Sequence, residues 1–392
     1  MRQGSRSRTP AQVSDHAAIF YKGKIAGCIG LHGIDWSNRK ASIDYWLASE
    51  FQGNGIMTKS CKAIVNYGLH DLGLNRVEIR AAEFNTRSRA IPERLGFTQE
   101  GQYGSFDYRK YQRDFKEGFY GIEACLFRNE HDIANLVQEA EREGFHIGVH
   151  FPLRAGISRL RDAQFLSKDR TVRGHAYDLI QQELDYLAAI KPSYILFHYP
   201  KPVILDERVD WSKWRFADRS EYEYETLYSF QDFKEASEML FAWLSQKGRE
   251  YRFTPILEFD ALNPYIYDDD FLERLLENYR DIRLCLDTAR LYLQDRLDPF
   301  FDAKSAIQKY ARFADTIHLS NVQITDDNTI QKSRYPVLPN QLPSEGWAPI
   351  EEYLNAIIQE NKSVKIMFEH RSDFVSDEEL WECYRWVHQF FE

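Results

Sequence analysis

Two domains of different architecture are expected from this chain: an α+β unit on a mixed sheet, followed by an α/β unit whose parallel strands close toward a barrel. Three observations predict them. The chain has 392 residues, more than one hydrophobic core usually supports. Its charge is divided, because residues 1–115 carry 17 basic against 11 acidic side chains (+6), whereas residues 116–392 carry 33 against 49 (−16). The apolar pattern also changes near residue 116, from short alternating runs to strands alternating with helices, which marks βα units. The partition then reads 1–16 as a disordered lead, 17–115 as the first domain and 116–392 as the second.

Composition excludes several classes. The opening Met1 to Pro10 is rich in Arg, Ser and Gly and has no apolar core, so neither a signal peptide nor a membrane span is expected. The cysteines at 28, 61, 125, 285 and 383 show no metal or disulfide spacing, and a reduced, cytoplasmic setting follows as the default. The basic first part suits a polyphosphate ligand. The acidic second part argues against nucleic acid as a partner.

In the first domain, Ile19 to Gly33 and Lys40 to Ala48 read as strands, the second by the alternation Ile43, Tyr45, Leu47. The turn Gln52-Gly53-Asn54-Gly55 then opens a helix whose apolar face includes Met57, Cys61, Ile64 and Val65. A strand at Arg76 to Ala81, a helix from Asn85 to Leu95 and a strand entered through Gly96-Phe97 complete the series. A Gly-rich turn feeding a helix N-terminus gathers backbone N–H donors on one side, which favours a pyrophosphate. Alone, such a turn is weak evidence and favours ordinary Asn-Gly turn formation.

The order of these elements, with the wording Trp46-Leu47-Ala48, Gln52-Gly53-Asn54-Gly55 and Asn85-x-x-Ser88 through Gly96-Phe97, resembles the GNAT acyltransferases, most of all the branch that acetylates ribosomal-protein N-termini. The resemblance covers roughly residues 17 to 103. It implies acetyl-coenzyme A as cofactor, with Gln52, Gly53, Asn54, Gly55, Ile56 and Met57 holding the pyrophosphate through backbone amides. Trp46 and Leu47 would pair with the pantetheine arm, Asn85 would also contact the cofactor, and Ser88 would protonate the departing thiolate. A helix-surface serine is the alternative for Ser88. Met57 departs from the family pattern, where a small residue is common. The strand and two helices with which the family fold begins, and which shape the acceptor pocket, have no counterpart before Ile19. No general base is identified; Asp107 reads either as that base or as a solvated turn carboxylate.

In the second domain, candidate strands are Gly121 to Leu126, His146 to Phe151, Tyr194 to His198, Thr254 to Phe259, Arg283 to Asp287, Thr316 to Ser320 and Val364 to Glu369. Seven strands are one short of a closed eightfold TIM-like barrel, so the barrel is incomplete or the eighth lies within Tyr103 to Lys116. Six of the strands carry His150, His198, Glu258, Asp287, His318 and Glu369 at their C-terminal ends, the face on which such barrels build active sites. Carboxylates and imidazoles converging there repel or stay unpaired unless a divalent cation makes them ligands.

The wording Leu257-Glu258-Phe259, Cys285-Leu286-Asp287-Thr288-Ala289-Arg290, Ile317-His318-Leu319-Ser320-Asn321 and Phe368-Glu369-His370-Arg371 resembles the xylose-isomerase-like barrels, which include sugar-phosphate isomerases, epimerases and endonuclease IV. That resemblance, over roughly residues 118 to 392, implies a single-metal site of Glu258, Asp287, His318 and Glu369 for Mn²⁺, Mg²⁺, Co²⁺ or Zn²⁺. Glu258 and Glu369 would exchange a proton with a small polyhydroxylated substrate, and His150 and His198 would bind its hydroxyls or a second ion. Arg290 stands where the multi-metal nucleases carry a His, and Arg334-Tyr335-Pro336 where relatives often carry another, which argues against a three-metal centre. Arg290 reads as a clamp on a substrate phosphate or carboxylate, or as a salt bridge to Asp287 or Asp295. The aromatic insertion between Pro200 and Ser229 reads as a lid, a partner surface or a minor core.

The expected function is a fusion of an acetyl-coenzyme A-dependent N-acetyltransferase, acting on a protein N-terminus or another amine, with a metal-dependent sugar or sugar-phosphate isomerase or epimerase. Two alternatives accompany it: only the barrel is catalytic and the first domain binds coenzyme A, or the chain is a noncatalytic scaffold.

Overall fold

A computed structural model describes residues 15–36, 39–79, 86–95 and 108–392. The chain forms two compact units, Met1–Gly101 and Gln102–Glu392. The partition thus falls earlier than the expected 115/116.

In the first unit, β1 (Asp15–Tyr21), β2 (Lys24–Asp35), β3 (Lys40–Leu47) and β4 (Arg76–Ile79) form a sheet in that order. The first two pairings are antiparallel and the last is parallel, so the sheet is mixed. The single strand expected over Ile19 to Gly33 is instead a hairpin. Lys22 and Gly23 both take positive φ, 50° and 78°, the two-residue geometry whose twist matches the flanking strands. α1 (Ile56–Asn66) covers one sheet face: Ile56, Met57 and Cys61 bury with Leu31, Ala41 and Ile43. α2 (Thr86–Arg94) is tied to α1 by Arg94 donating to Thr58 Oγ1 at 3.2 Å.

The second unit opens with α3 (Tyr108–Asp114), a helix where an eighth strand was one possibility. Its Tyr111 rests on Phe145, and Arg113 bonds Asp377 at 2.7 Å. Then follow β5 (Gly121–Ala124), α4 (Glu130–Glu143), β6 (His146–His150), α5 (Arg170–Leu187), β7 (Tyr194–Tyr199), the short strands β8 (Val203–Leu205) and β9 (Tyr222–Tyr224), α6 (Phe230–Tyr251) and β10 (Thr254–Phe259). The chain continues through α7 (Pro264–Tyr267), α8 (Phe271–Asn278), β11 (Arg283–Asp287), α9 (Thr288–Leu297), α10 (Ala303–Tyr310), β12 (Ala314–Leu319), β13 (Asn321–Ile324), β14 (Ile330–Tyr335), α11 (Ile350–Glu360), β15 (Lys365–Phe368) and α12 (Asp377–Gln389).

All seven expected strands are present, in one sheet of order β15-β12-β11-β10-β7-β6-β5, with every pairing parallel. The sheet is nearly closed and barrel-like. At its two edges, Phe119 beside β5 stacks on Phe368 of β15 with centroids 6.1 Å apart, and Lys365 lies 4.8 Å over the Tyr120 ring. Helices start where side chains can cap them: Asn129, Asp169, Ser229 and Ser376 each accept a backbone N–H at the N-terminus of α4, α5, α6 and α12. Their inward stripes, such as Ile133, Leu136 and Ala140 on α4, pack on the outer sheet face.

The aromatic insertion forms a minor core. Trp211 and Trp214 bury with Val203, Leu205, Val209 and Ala261, and Phe216, Tyr222 and Tyr224 pack against them. The segment is therefore a folded rim over the C-terminal strand ends.

Candidate functional site

β3 ends at Leu47, and the next residues turn the chain into α1. Gln52 Nε2 donates to the Leu47 carbonyl and Asn54 Nδ2 to the carbonyls of Phe51 and Gln52, each at 3.2 Å. The Gln52 N–H closes the preceding turn on Ser49 O at 3.2 Å. Gly55 stands at the N-cap with φ 69°, and no side chain caps the helix. The first-turn N–H groups of α1 thus have no acceptor within the helix, the arrangement that suits an anion. Ile56 and Met57 point into the core, so only their backbone can serve a ligand. Trp46 is exposed and Leu47 half-buried at the β3 end of the same turn.

Ser88 is half-buried on α2. Its Oγ donates to Tyr45 Oη at 2.9 Å, and the Tyr45 hydroxyl donates to the Ser88 carbonyl at 3.1 Å. Burial raises the Tyr45 pKa against the opposing bond from Ser88, so the phenol stays protonated near neutrality. Tyr45 was visible only as an inward position of β3; its pairing across to α2 was not. Asn85, Gly96-Phe97 and Asp107 lie outside the described residues.

In the second unit, Glu258 on β10 is the centre of a buried cluster. Its Oε2 lies 3.1 Å from His150 Nε2 and 2.9 Å from His198 Nε2, and its Oε1 lies 3.3 Å from His318 Nδ1 and 3.6 Å from Arg290 Nε. Glu369 Oε2 is 3.4 Å from the same His318 Nδ1. Glu258, Asp287, His318 and Glu369 each offer a ligand atom within 4.8 Å of the others. All six residues expected from the strand ends therefore meet at one place, although β15 stops one residue short of Glu369.

Asp287 divides its two oxygens. Oδ1 caps α9, accepting from Ala289 N at 2.8 Å and Arg290 N at 3.0 Å; Oδ2 faces Arg290 Nε at 3.5 Å. His318 is similarly divided. Its Nε2 lies 3.1 Å from Glu123 Oε2, which fixes Nε2–H as donor to that carboxylate. Nδ1 is then the atom turned to the cluster, where it is buried and has no aligned hydrogen-bond partner. A histidine held from behind by a carboxylate, with its other nitrogen aimed at three more carboxylates, is how metal-bound imidazoles are oriented.

The electrostatics agree with this geometry. Burial pulls the His318 pKa down, yet Cys285, Glu123 and Glu258 lift it well above its ordinary value. Burial pushes Asp287 up to about 6, reinforced by Glu369 and Glu258. Glu258 is held well below the usual carboxylate range, because His198, His318 and Arg290 outweigh its burial. The raised His318 and Asp287 values both favour protons that offset the crowded charge. A divalent cation would take that role instead.

A second layer was not anticipated. Lys201, 3% exposed, lies 3.1 Å from Asp162 Oδ2 and 2.7 Å from Asp260 Oδ2. Asp162 accepts from His198 Nδ1–H at 2.8 Å, so Nε2 can also donate to Glu258 only from the imidazolium form, which Asp162 and Glu258 favour by raising the His198 pKa against its burial. Asp260 also accepts from Trp214 Nε1 at 3.1 Å, which joins the rim to the site. The sequence held one signal for it: Asp260 follows Glu258 by two, on the same face. Of its expected salt bridges, Arg290 makes the one to Asp287. It is 3.3 Å from Asp260 Oδ1 as well as near Glu258 and Asp287, and its ion pairs do not include Asp295. Arg334 pairs with Glu369 at 3.0 Å.

Residues 6–98 match the acetyltransferase (GNAT) domain family, a match that ends before the second unit begins. A Bacillus subtilis protein, YdaF, that bears a provisional ribosomal N-acetyltransferase name is 50% identical over 86 residues, 22% of this chain and 47% of that protein. The ribosomal-protein-serine acetyltransferase of Escherichia coli is 31% identical over 83 residues, 21% of this chain and 46% of that protein. A solved structure, the ribosomal L7/L12 α-N-protein acetyltransferase RimL in complex with coenzyme A, is 32% identical, with 24% of this chain and 54% of that chain covered and a TM-score of 0.23. The chain spans about half the length of the curated relatives it matches. Its N-terminal part carries a GNAT acetyltransferase domain.

Proposed function

We propose that the first unit binds acetyl-coenzyme A and transfers its acetyl group to an amine, and that the second unit is a xylose-isomerase-like barrel that isomerises or epimerises a polyhydroxylated substrate with a divalent metal. The acetyl-transfer reading rests on the GNAT match together with the uncapped α1 N-terminus at the end of β3. Backbone donors from Gly53 to Met57 would hold the pyrophosphate, and Ser88 or Tyr45 would return the proton to the thiolate.

A second reading, cofactor binding without turnover, is favoured by one observation: the Ser88 hydroxyl is already committed to Tyr45. Titrating acetyl-coenzyme A into the whole chain while following thiol release with amine acceptors separates the two. Saturable binding with no thiol release leaves only the second, and no binding at all overturns both.

The barrel reading is carried by His318 Nδ1, oriented from behind by Glu123 and turned to Glu258, Asp287 and Glu369 without an aligned hydrogen bond. The donor set of one imidazole and three carboxylates fits Mn²⁺, Mg²⁺, Co²⁺ or Zn²⁺. When bound, such a cation would polarise a substrate carbonyl or hydroxyl. Glu258 and Glu369 stand ionised near neutrality, so either can accept a proton. His150 and His198, whose Nε2 atoms face Glu258, are placed to steady that carboxylate or a substrate hydroxyl. Mn²⁺ binding to the whole chain, read by calorimetry, tests the site: one ion per chain is expected, weakened at least tenfold by Glu369→Gln and by Glu258→Gln. Equal Mn²⁺ affinity in both variants would overturn the reading.

A further inference from the structure

The cations around the Glu258 cluster are matched to carboxylates with one exception. Lys201 bridges Asp162 and Asp260, Arg290 touches Glu258 and Asp260, and Arg334 pairs with Glu369. Arg161, from the segment joining β6 to α5, makes no ion pair among the described residues. Its side-chain bonds are from one terminal nitrogen to the His150 ring, 3.0 Å from Nδ1 and 3.2 Å from Nε2. Its Nε is buried and has no hydrogen-bond partner at all. The same segment is pinned on both sides, Arg159 to Asp218 of the rim at 2.8 Å and Asp162 to His198 at 2.8 Å. Arg161 is therefore held over the site by its neighbours, with its Nε unpartnered and only one terminal nitrogen engaged.

A half-buried guanidinium with unspent donors is costly unless something fills them, and its planar fork matches a phosphate or carboxylate in bidentate fashion. His150 Nε2 is at once 3.2 Å from Arg161 and 3.1 Å from Glu258 Oε2. An anion on Arg161 would thus place the adjoining carbon chain one imidazole away from the carboxylate that would move its proton. We infer that Arg161 docks an anionic substituent, phosphate or carboxylate, on the substrate of the second unit. This rests on the cluster being a substrate site, and it narrows the substrate to phosphorylated or acidic polyhydroxy compounds rather than neutral sugars.

The test uses the whole chain with Mn²⁺ and three calorimetric probes: glycerol 3-phosphate, glycerate and glycerol. At least one of the two anions is expected to bind where glycerol does not, and which one binds tells phosphate from carboxylate. Arg161→Gln should weaken that binding at least tenfold, with Arg161→Lys in between because it keeps the charge and loses the fork. Any phosphate that settles at the α1 N-terminus is common to all three proteins and cancels in the comparison. Equal anion affinity in Arg161→Gln would overturn the inference. So would a chain that binds Mn²⁺ but neither anion, a result that leaves the metal reading standing. Loss of anion binding in Arg161→Gln without any Mn²⁺ binding would support the subsite and overturn the metal reading alone.

Discussion

Replacing Lys201 by Met keeps the volume of the side chain and deletes its charge, leaving Asp162 and Asp260 without the ammonium that lies 3.1 and 2.7 Å away. All three groups are buried or nearly so. Breaking one arm of a buried ion network typically costs about 3–5 kcal/mol, because a charge stays behind without compensation. Here the residue left most exposed to that loss is Asp260, but Arg290 at 3.3 Å and Trp214 Nε1 at 3.1 Å still face it. The expected cost therefore lies near the lower end, about 3 kcal/mol. There is also a ceiling, since a carboxyl with an ordinary pKa near 4 can be neutralised at pH 7 for about 4 kcal/mol.

The sign with pH follows. Burial raises the Asp260 pKa but Lys201, then Arg290, bring it down to about 2, so in the parent its stabilisation is full above pH about 4 and is lost only as pH falls toward 2. In Lys201→Met the same carboxyl takes up a proton at higher pH, so the gap between parent and variant should narrow as pH falls from 7 to 5. Scanning calorimetry measures both quantities on the whole chain, with added acetyl-coenzyme A marking any transition that belongs to the first unit. The second-unit transition should fall by roughly 6 °C at pH 7, at about 2 °C per kcal/mol for a domain of this size. Asp260→Asn added to Lys201→Met should recover part of it. A fall below 2 °C at pH 7, or a gap that widens on acidification, would show that the triad is not the buried network drawn here.

Two other outcomes are expected. Gly55→Val places a β-branched residue at φ 69°, where the strain is about 1–2 kcal/mol; acetyl-coenzyme A affinity should drop with little change in the second-unit transition, whereas undiminished affinity would remove α1 from the cofactor site. Glu225, half-buried, has its pKa raised to about 7 by burial, then by Asp206 and Glu207. A raised acid destabilises the fold as pH climbs from about 4 to 7, so after discounting for solvent screening Glu225→Gln should stabilise the second unit by about 1–2 kcal/mol at pH 8 and by almost nothing at pH 4. Chemical denaturation at the two pH values checks it, and equal gains at both would contradict the assignment.

The strands of the second unit and the residues closing them were legible because a βα unit leaves a periodic trace, and the C-terminal end of each strand is a defined position in it. His150, His198, Glu258, Asp287, His318 and Glu369 could thus be picked out as strand-end positions before any geometry was known, whereas the grouping of four as ligands came only from the resemblance. Asp162, Arg161 and Lys201 could not, since they sit on connections where no period exists and a charged residue is ordinary. Glu123 lies inside β5 and looks like a misplaced acid until the curl of the sheet brings it against His318 on β12, a contact spanning 195 residues of chain. The hairpin at Lys22-Gly23 was missed for a related reason: the apolar run continues across the turn, and Lys is not among the residues that usually announce positive φ.

Asp287 shows where one-residue arguments fail even when the position is right. Capping a helix and ligating a cation compete as explanations when a carboxylate is treated as one object. In the folded chain the two oxygens separate, Oδ1 to the α9 amides and Oδ2 to the cluster. The structural use then holds the functional oxygen in place, because the cap fixes the rotamer that presents it. His318 repeats the pattern with Nε2 on Glu123 and Nδ1 turned inward. At such a site, evidence that a side chain is already hydrogen-bonded supports a functional role as soon as the bonded atom and the free atom are on opposite sides.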